Sequence, residues 1–259
     1  MSFFKKILAS VGVGSAKVDA RLHNDRLIPG EMITGEVHME GGEIEQEIDD
    51  IYMYVITHYE REHDNKKGKE ECILAKQLLS TKFKLKPKEE KVLTFSFPLP
   101  YETPLTMGRQ PVYIRTGLDI KNAIDPGDSD FIQVLPHPLM EHVLGAIGDI
   151  GFQLFKVDCE YNRLLGRNFP FVQEFEFRPT GEYRSRLEEL EVVFFLKDAE
   201  LDVYIELDKR ARGFLVAREE AFNMDERYLR FHVTEAELKR PRTQLAEYID
   251  EMIRVSVKR

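Results

Sequence analysis

Ile33-Thr34-Gly35-Glu36-Val37-His38-Met39 is the stretch whose reading decides the fold. Ile33, Val37 and Met39 alternate with Thr34, Glu36 and His38, so an extended backbone gathers the apolar side chains on one face, interrupted only by Gly35. Leu27-Ile28-Pro29-Gly30 before it and Gly41-Gly42 after it are turn signals that bound a half-buried strand. The same period-two pattern extends outward in both directions. Strand character starts at Val18, and Ile51-Tyr52-Met53-Tyr54-Val55-Ile56 is apolar on both faces, as a covered central strand requires. Glu60 to Glu71 reads as a charged loop with Lys66-Lys67-Gly68-Lys69 at its tip. Ile73 to Leu85 and Val92 to Phe97 read as strands joined by a turn at Pro87–Glu90.

Pro98, Pro100 and Pro104 exclude the next segment from a sheet centre, because each removes a ladder donor. Val112, Ile114, Thr116, Leu118 and Ile120 then alternate with polar residues, Asp125-Pro126-Gly127-Asp128 turns the chain, and Phe131–Leu135 closes the series. Successive strands separated by turns, with little helix between them, predict a β-sandwich.

Pro136-His137-Pro138 is the expected domain boundary, dividing the chain into 1–136 and 137–259; a length of 259 residues favours two domains. Beyond it, Leu139, Val143, Leu144, Ile147 and Ile150 keep helical spacing up to Gly151. Strands are expected at Phe152–Cys159, Phe171–Phe177, Leu190–Leu196, Leu201–Leu207 and Tyr228–Val233. Thr234-Glu235-Ala236-Glu237 is a capping-box pattern that opens a C-terminal helix, and Pro241 breaks or restarts it. Leu245, Ile249 and Met252 share one side of that helix, the side a dimer seam would use. At the other end, Phe3, Phe4, Ile7 and Leu8 form the apolar side of a short helix ended by Gly12 and Gly14. Those four residues are candidates for contact with a partner or, more weakly, a membrane surface. Lys5 and Lys6 before an apolar run resemble a signal peptide, but the glycines and the lack of a small-x-small cleavage site favour mature protein.

Hydrophobic residues make up 42% and charged residues 32% of the chain, which fits a globular protein and not a disordered one. The net charge is −9, and both parts of the chain divided at Pro136 are acidic, so no nucleic-acid partner is expected. Cys72 and Cys159 stand alone, which predicts reduced thiols and a cytoplasmic location.

The search for chemistry predicts no enzyme, no cofactor and no metal. Gly12-Val13-Gly14-Ser15-Ala16-Lys17 has neither phosphate-loop nor dinucleotide spacing, and a strand follows where a helix is required. His58 and His63 with Glu60, Glu62 and Asp64 match no metal-binding spacing. His137 and His142 would diverge on a helix, and Asp125, Asp128 and Asp130 lack the ordered ligands of a calcium loop. Glu43, Glu45, Glu47 and Asp49 alternate on one face opposite Ile44 and Ile48. That face is expected to be solvated, with an acidic docking stripe as the minority reading.

Met1 to Asp19 resembles the opening of the bacterial sporulation-control protein M family, and the resemblance continues through Leu27–Val37, Gly41-Gly42, His137-Pro138-Leu139 and Val157–Tyr161. Glycine-bounded alternation of this kind also looks like the first strands of arrestin domains. The resemblance implies two tandem arrestin-like sandwiches flanked by short terminal helices, and a non-catalytic intracellular regulator of sporulation. Its partners would be other proteins, met as an adaptor meets them; a self-associating scaffold, with a homodimer as its form, is the alternative.

Overall fold

The computed structural model describes residues 16–63, 66–120, 127–198, 200–209 and 228–258. The chain is mainly β and divides into two compact units. The first holds the residues up to His58, Glu71–Thr106 and Pro111–Leu135; the second holds Tyr59–Glu70, Met107–Gln110 and everything from Pro136 onward.

In the first unit, β1 (Lys17–Leu22), β3 (Met32–Glu40) and β7 (Glu90–Pro98) form an antiparallel sheet in the order β1-β3-β7. Ile33 and Val37 are fully buried on β3, and Phe95 and Phe97 lie on the same face of β7. Pro98 ends the outer strand of this sheet, where a missing donor costs least. A second sheet is built around β4 (Gln46–His63), which pairs antiparallel with β8 (Val112–Ile120); β8 in turn pairs with β9 (Gly127–Phe131). On the other side of β4 lie β5 (Lys66–Ser80) and β6 (Phe83–Leu85). Met53, Val55 and Ile114 make the buried face, while Tyr52 and Tyr54 between them are half-buried. A short parallel bridge joins β2 (Arg26–Leu27) to β10 (Gln133–Val134). The charged run Glu60–Glu71 is not a long loop: β4 runs to His63 and β5 begins at Lys66, so most of it is the distal part of a hairpin. Its strands are polar on their faces and therefore leave no apolar alternation to read.

Two glycines are required by this geometry. Gly30 has φ of +92° in the turn before β3, a backbone region costly for residues with a Cβ. Gly35 sits where β1 and β7 close on β3: a Cβ there would lie 2.4 Å from the Arg21 carbonyl oxygen and 2.6 Å from the Phe95 ring.

In the second unit, the strands β11 (Phe152–Tyr161), β12 (Phe171–Pro179), β13 (Leu187–Lys197), β14 (Glu200–Lys209) and β15 (Tyr228–Thr234) follow one another as an antiparallel meander. One face carries Phe175, Phe177, Leu190, Val192, Val203 and Ile205, all buried. Helix α1 (Pro138–Asp149) packs on β11 and β14 of this sheet. It starts with proline at N1 and with the His137 ring accepting from the Leu139 N–H. Burial holds His137 below its usual pKa against the pull of Glu235, in keeping with a neutral ring as acceptor.

The capping box at Thr234 is formed: its hydroxyl caps the Ala236 N–H and the Glu237 carboxylate accepts from the Thr234 N–H at 2.8 Å. It starts only the four-residue α2 (Glu235–Leu238); beyond Pro241 the chain restarts as α3 (Arg242–Lys258). Helix α3 packs against α1, with Leu245, Ala246, Ile249 and Ile253 buried. Arg242 ties the helices together with a bidentate pair to Asp149 at 2.7 and 3.0 Å.

Candidate functional surface

The residues that the sequence marked for contact fare differently. Phe3, Phe4, Ile7 and Leu8 lie outside the described residues. Leu245 and Ile249 are placed: Ile249 is 0% exposed and Leu245 9%, buried within the chain on a helix that packs against α1. Met252 is half-buried. A helical apolar stripe looks the same whether it faces a partner or its own core.

The acidic stripe, expected to be solvated, is exposed and carries its own counter-charges. Lys88, Lys84 and Lys82 reach Glu43, Glu45 and Asp49 at 3.0, 3.3 and 3.2 Å. These pairs lie in solvent, which screens them, so they add little to stability. Their main effect is to cancel the charge a basic partner would seek.

Asp128 accepts from the Ala20 N–H at 2.8 Å, and burial followed by the charges of Asp128 and Asp19 raises the pKa of Asp130. His58 packs on Tyr113. Beside it the Tyr113 hydroxyl and both Arg115 amino groups donate to Glu71 at 2.9 to 3.1 Å. Donation from Arg115 holds the Glu71 carboxyl below its usual range against burial. Among the described residues, no group of three or more His, Cys, Asp or Glu is arranged to hold a metal ion. Cys72 is half-buried and Cys159 buried, and the two form no disulfide with each other.

The most chemically loaded surface is the face of the second unit's sheet that the α1-packed side chains turn away from. Cross-strand register sets Lys156, Glu176, Glu191, Glu206 and Tyr228 side by side over β11 to β15. The next row is Asp158, Glu174, Val193, Tyr204 and Arg230. Like charges directly opposite one another cost stability, so the sheet holds these glutamates together against their repulsion.

Lys156 offsets part of the charge by binding Asp158 and Glu176, the latter at 2.9 Å. Burial works against its charged form, yet the donation to Asp158 and Glu176 prevails and raises its pKa. Lys67 extends the network to Glu160 at 3.2 Å and Glu60 at 3.6 Å.

Toward β15 the surface turns aromatic. Phe195 and Tyr204 meet edge to face at 5.1 Å, with Arg167 lying 3.9 Å over Phe195 and Arg230 5.0 Å over Tyr204. Asp202 binds His232 at 3.0 Å and Arg167 at 3.3 Å; burial raises its pKa, but those two donors outweigh burial and lower it. Charged groups therefore interleave with cation-capped aromatic rings on this face. The sequence does not show these residues as one surface, because they come together from five different strands.

The chain is thus a mainly β protein of two compact units. The comparisons give its family. A family model described as SpoOM protein matches residues 4–211. The sporulation-control protein Spo0M of Bacillus subtilis strain 168 is 41% identical over 254 residues, covering 98% of each chain. The crystal structure of Spo0M from Bacillus subtilis matches with a TM-score of 0.85 at 36% identity, over 94% of this chain and all of that one. The chain belongs to the Spo0M family.

Among the described residues, no helix is long and apolar enough to cross a membrane.

Proposed function

We propose that this chain is a non-catalytic, cytoplasmic regulator in the control of sporulation, acting through contacts with other proteins. The observation that carries the reading is the 41% identity, over nearly the full length of both chains, to a protein named for sporulation control. A rigid sheet can present its contact groups without strain in its core. The charged and aromatic face of the second unit supplies groups suited to this role. The apolar N-terminal positions Phe3, Phe4, Ile7 and Leu8 are a second set of contact candidates, on sequence pattern alone.

Affinity capture from cells entering sporulation tests the mechanism. Phe3→Glu/Ile7→Glu is expected to keep the thermal melting of the parent and to recover about tenfold less partner, a loss of about 1.4 kcal/mol in binding. Equal recovery, together with equal binding to lipid vesicles, removes the N-terminal positions from the contact. Recovery of no specific partner by the parent chain overturns the adaptor reading.

A further inference from the structure

Thr116 and Asp130 each bury a side-chain oxygen that bonds nothing, and the two residues stand on neighbouring strands. β8 and β9 run antiparallel with Thr116 opposite Asp128 and Ile114 opposite Asp130, so strand alternation turns all four side chains to one face. That face is the interior: Ile114 is 1% exposed and Thr116 0%, whereas Phe131 on the other face is 72% exposed. Strand β1 covers the place. It packs on both β8 and β9, and its Ala20 N–H donates to Asp128 Oδ2 at 2.8 Å. The Ser129 N–H donates to Asp128 Oδ1 at 2.9 Å, so each oxygen of that carboxylate keeps room for a second partner.

Positive charge is short here. The two cations of β1, Lys17 and Arg21, are held by Glu40 at 3.6 Å and by Asp19 at 2.8 Å. Burial first, then the Asp128 and Asp19 charges, raise the Asp130 pKa, and no cation acts the other way. Buried charges are normally paired or coordinate a metal, and a buried oxygen without a partner costs stability. Thr116 and Asp130 do not satisfy each other, so what joins them is a third group. A water molecule would satisfy the hydroxyl and leave the carboxylate charge as it stands; a cation answers both.

We propose that Asp128, Asp130 and Thr116 form a site for one divalent cation of calcium's kind, held between β8 and β9 beneath β1. All three donors are hard oxygens, the set that suits calcium rather than an ion seeking thiolate or imidazole. Calcium also accepts an irregular donor set and completes its coordination with water. Asp19, more than half exposed on β1, adds its charge at the rim. The site is not a calcium loop: its side chains come from two strands at cross-strand spacing, and one donor is a hydroxyl. With two carboxylates the dissociation constant should be about 0.1 to 1 mM.

Isothermal titration of calcium chloride into the full chain reads the site directly, after EDTA treatment, at constant ionic strength and about pH 8, where carboxylates are ionised. One saturable site is expected. Asp130→Asn should weaken it by roughly tenfold or more, and Thr116→Val by about threefold. Thr116→Val removes an unsatisfied hydroxyl, so without calcium it should melt no lower than the parent, which separates lost binding from lost folding. Calcium should raise the melting temperature of the parent and leave that of Asp130→Asn where it is. Glu174→Gln/Glu191→Gln, on the acidic sheet face of the second unit, should bind calcium as the parent does. No saturable heat in the parent, unchanged binding in Asp130→Asn, or a loss confined to Glu174→Gln/Glu191→Gln overturns the proposal.

Discussion

Ile249→Ala is expected to lower the unfolding free energy by about 3 kcal/mol, read as a lower urea midpoint with little change in slope. Ile249 is fully buried on α3, facing α1, whose own Leu139, Val143 and Ile147 are fully buried too. Truncation there removes three methylene-sized groups and leaves a cavity between two helices that Arg242 and Asp149 already hold in place. Met252→Ala, at a half-buried position of the same helix, should cost clearly less. The contrast separates a core helix from an assembly seam. A chain ending at Val233 should lose the cooperative unfolding of the second unit, because α1 then has no partner helix. If that shortened chain instead melts as the parent does but halves its particle mass in light scattering, α3 is a dimer seam after all.

Gly35→Val should be at least as damaging, costing about 3 kcal/mol or more. The cause is steric and local. Leu22, Gly35 and Phe95 share one cross-strand row of the β1-β3-β7 sheet, and the Arg21 carbonyl fills the space a Cβ needs. The Phe95 ring can turn away; the Arg21 oxygen belongs to a strand whose ladder bonds hold it. Gly35→Ala combined with Phe95→Leu should therefore recover only part of the stability lost by Gly35→Ala alone, as thermal melts of the double-mutant cycle can show. Full recovery would place the clash on the ring alone.

These two positions show what the sequence reveals and what it hides. The alternation around Gly35 announced a half-buried strand, and Thr234 and Glu237 announced a capping box, because both signals lie within a few residues of one another. Ile249 carried a true helical signal but no indication of what it faces, since its partner α1 lies about a hundred residues earlier in the chain. The hairpin of β4 and β5 was hidden because exposed strands need no apolar alternation.

The charged surfaces were least legible. Glu43, Glu45 and Asp49 read as a solvated acidic face, and nothing local to them shows that Lys88, Lys84 and Lys82 come beside them from beyond the hairpin. Glu174 looks like any surface glutamate in Gln173-Glu174-Phe175-Glu176, and only strand register sets Asp158 opposite it. Local pattern identifies elements, whereas the electrostatic character of a sheet face depends on which strands become neighbours.

The central claim is that this chain acts in the control of sporulation, as its family relative is named for doing. Expression in a Bacillus subtilis strain lacking its own Spo0M, with counts of heat-resistant spores, tests it most directly. The account predicts that the chain returns the spore frequency to within about threefold of the parent strain, a gap of under 1 kcal/mol in any single binding step. A stably folded chain that accumulates to the level of the native protein yet leaves the spore frequency at the deletion value would contradict it.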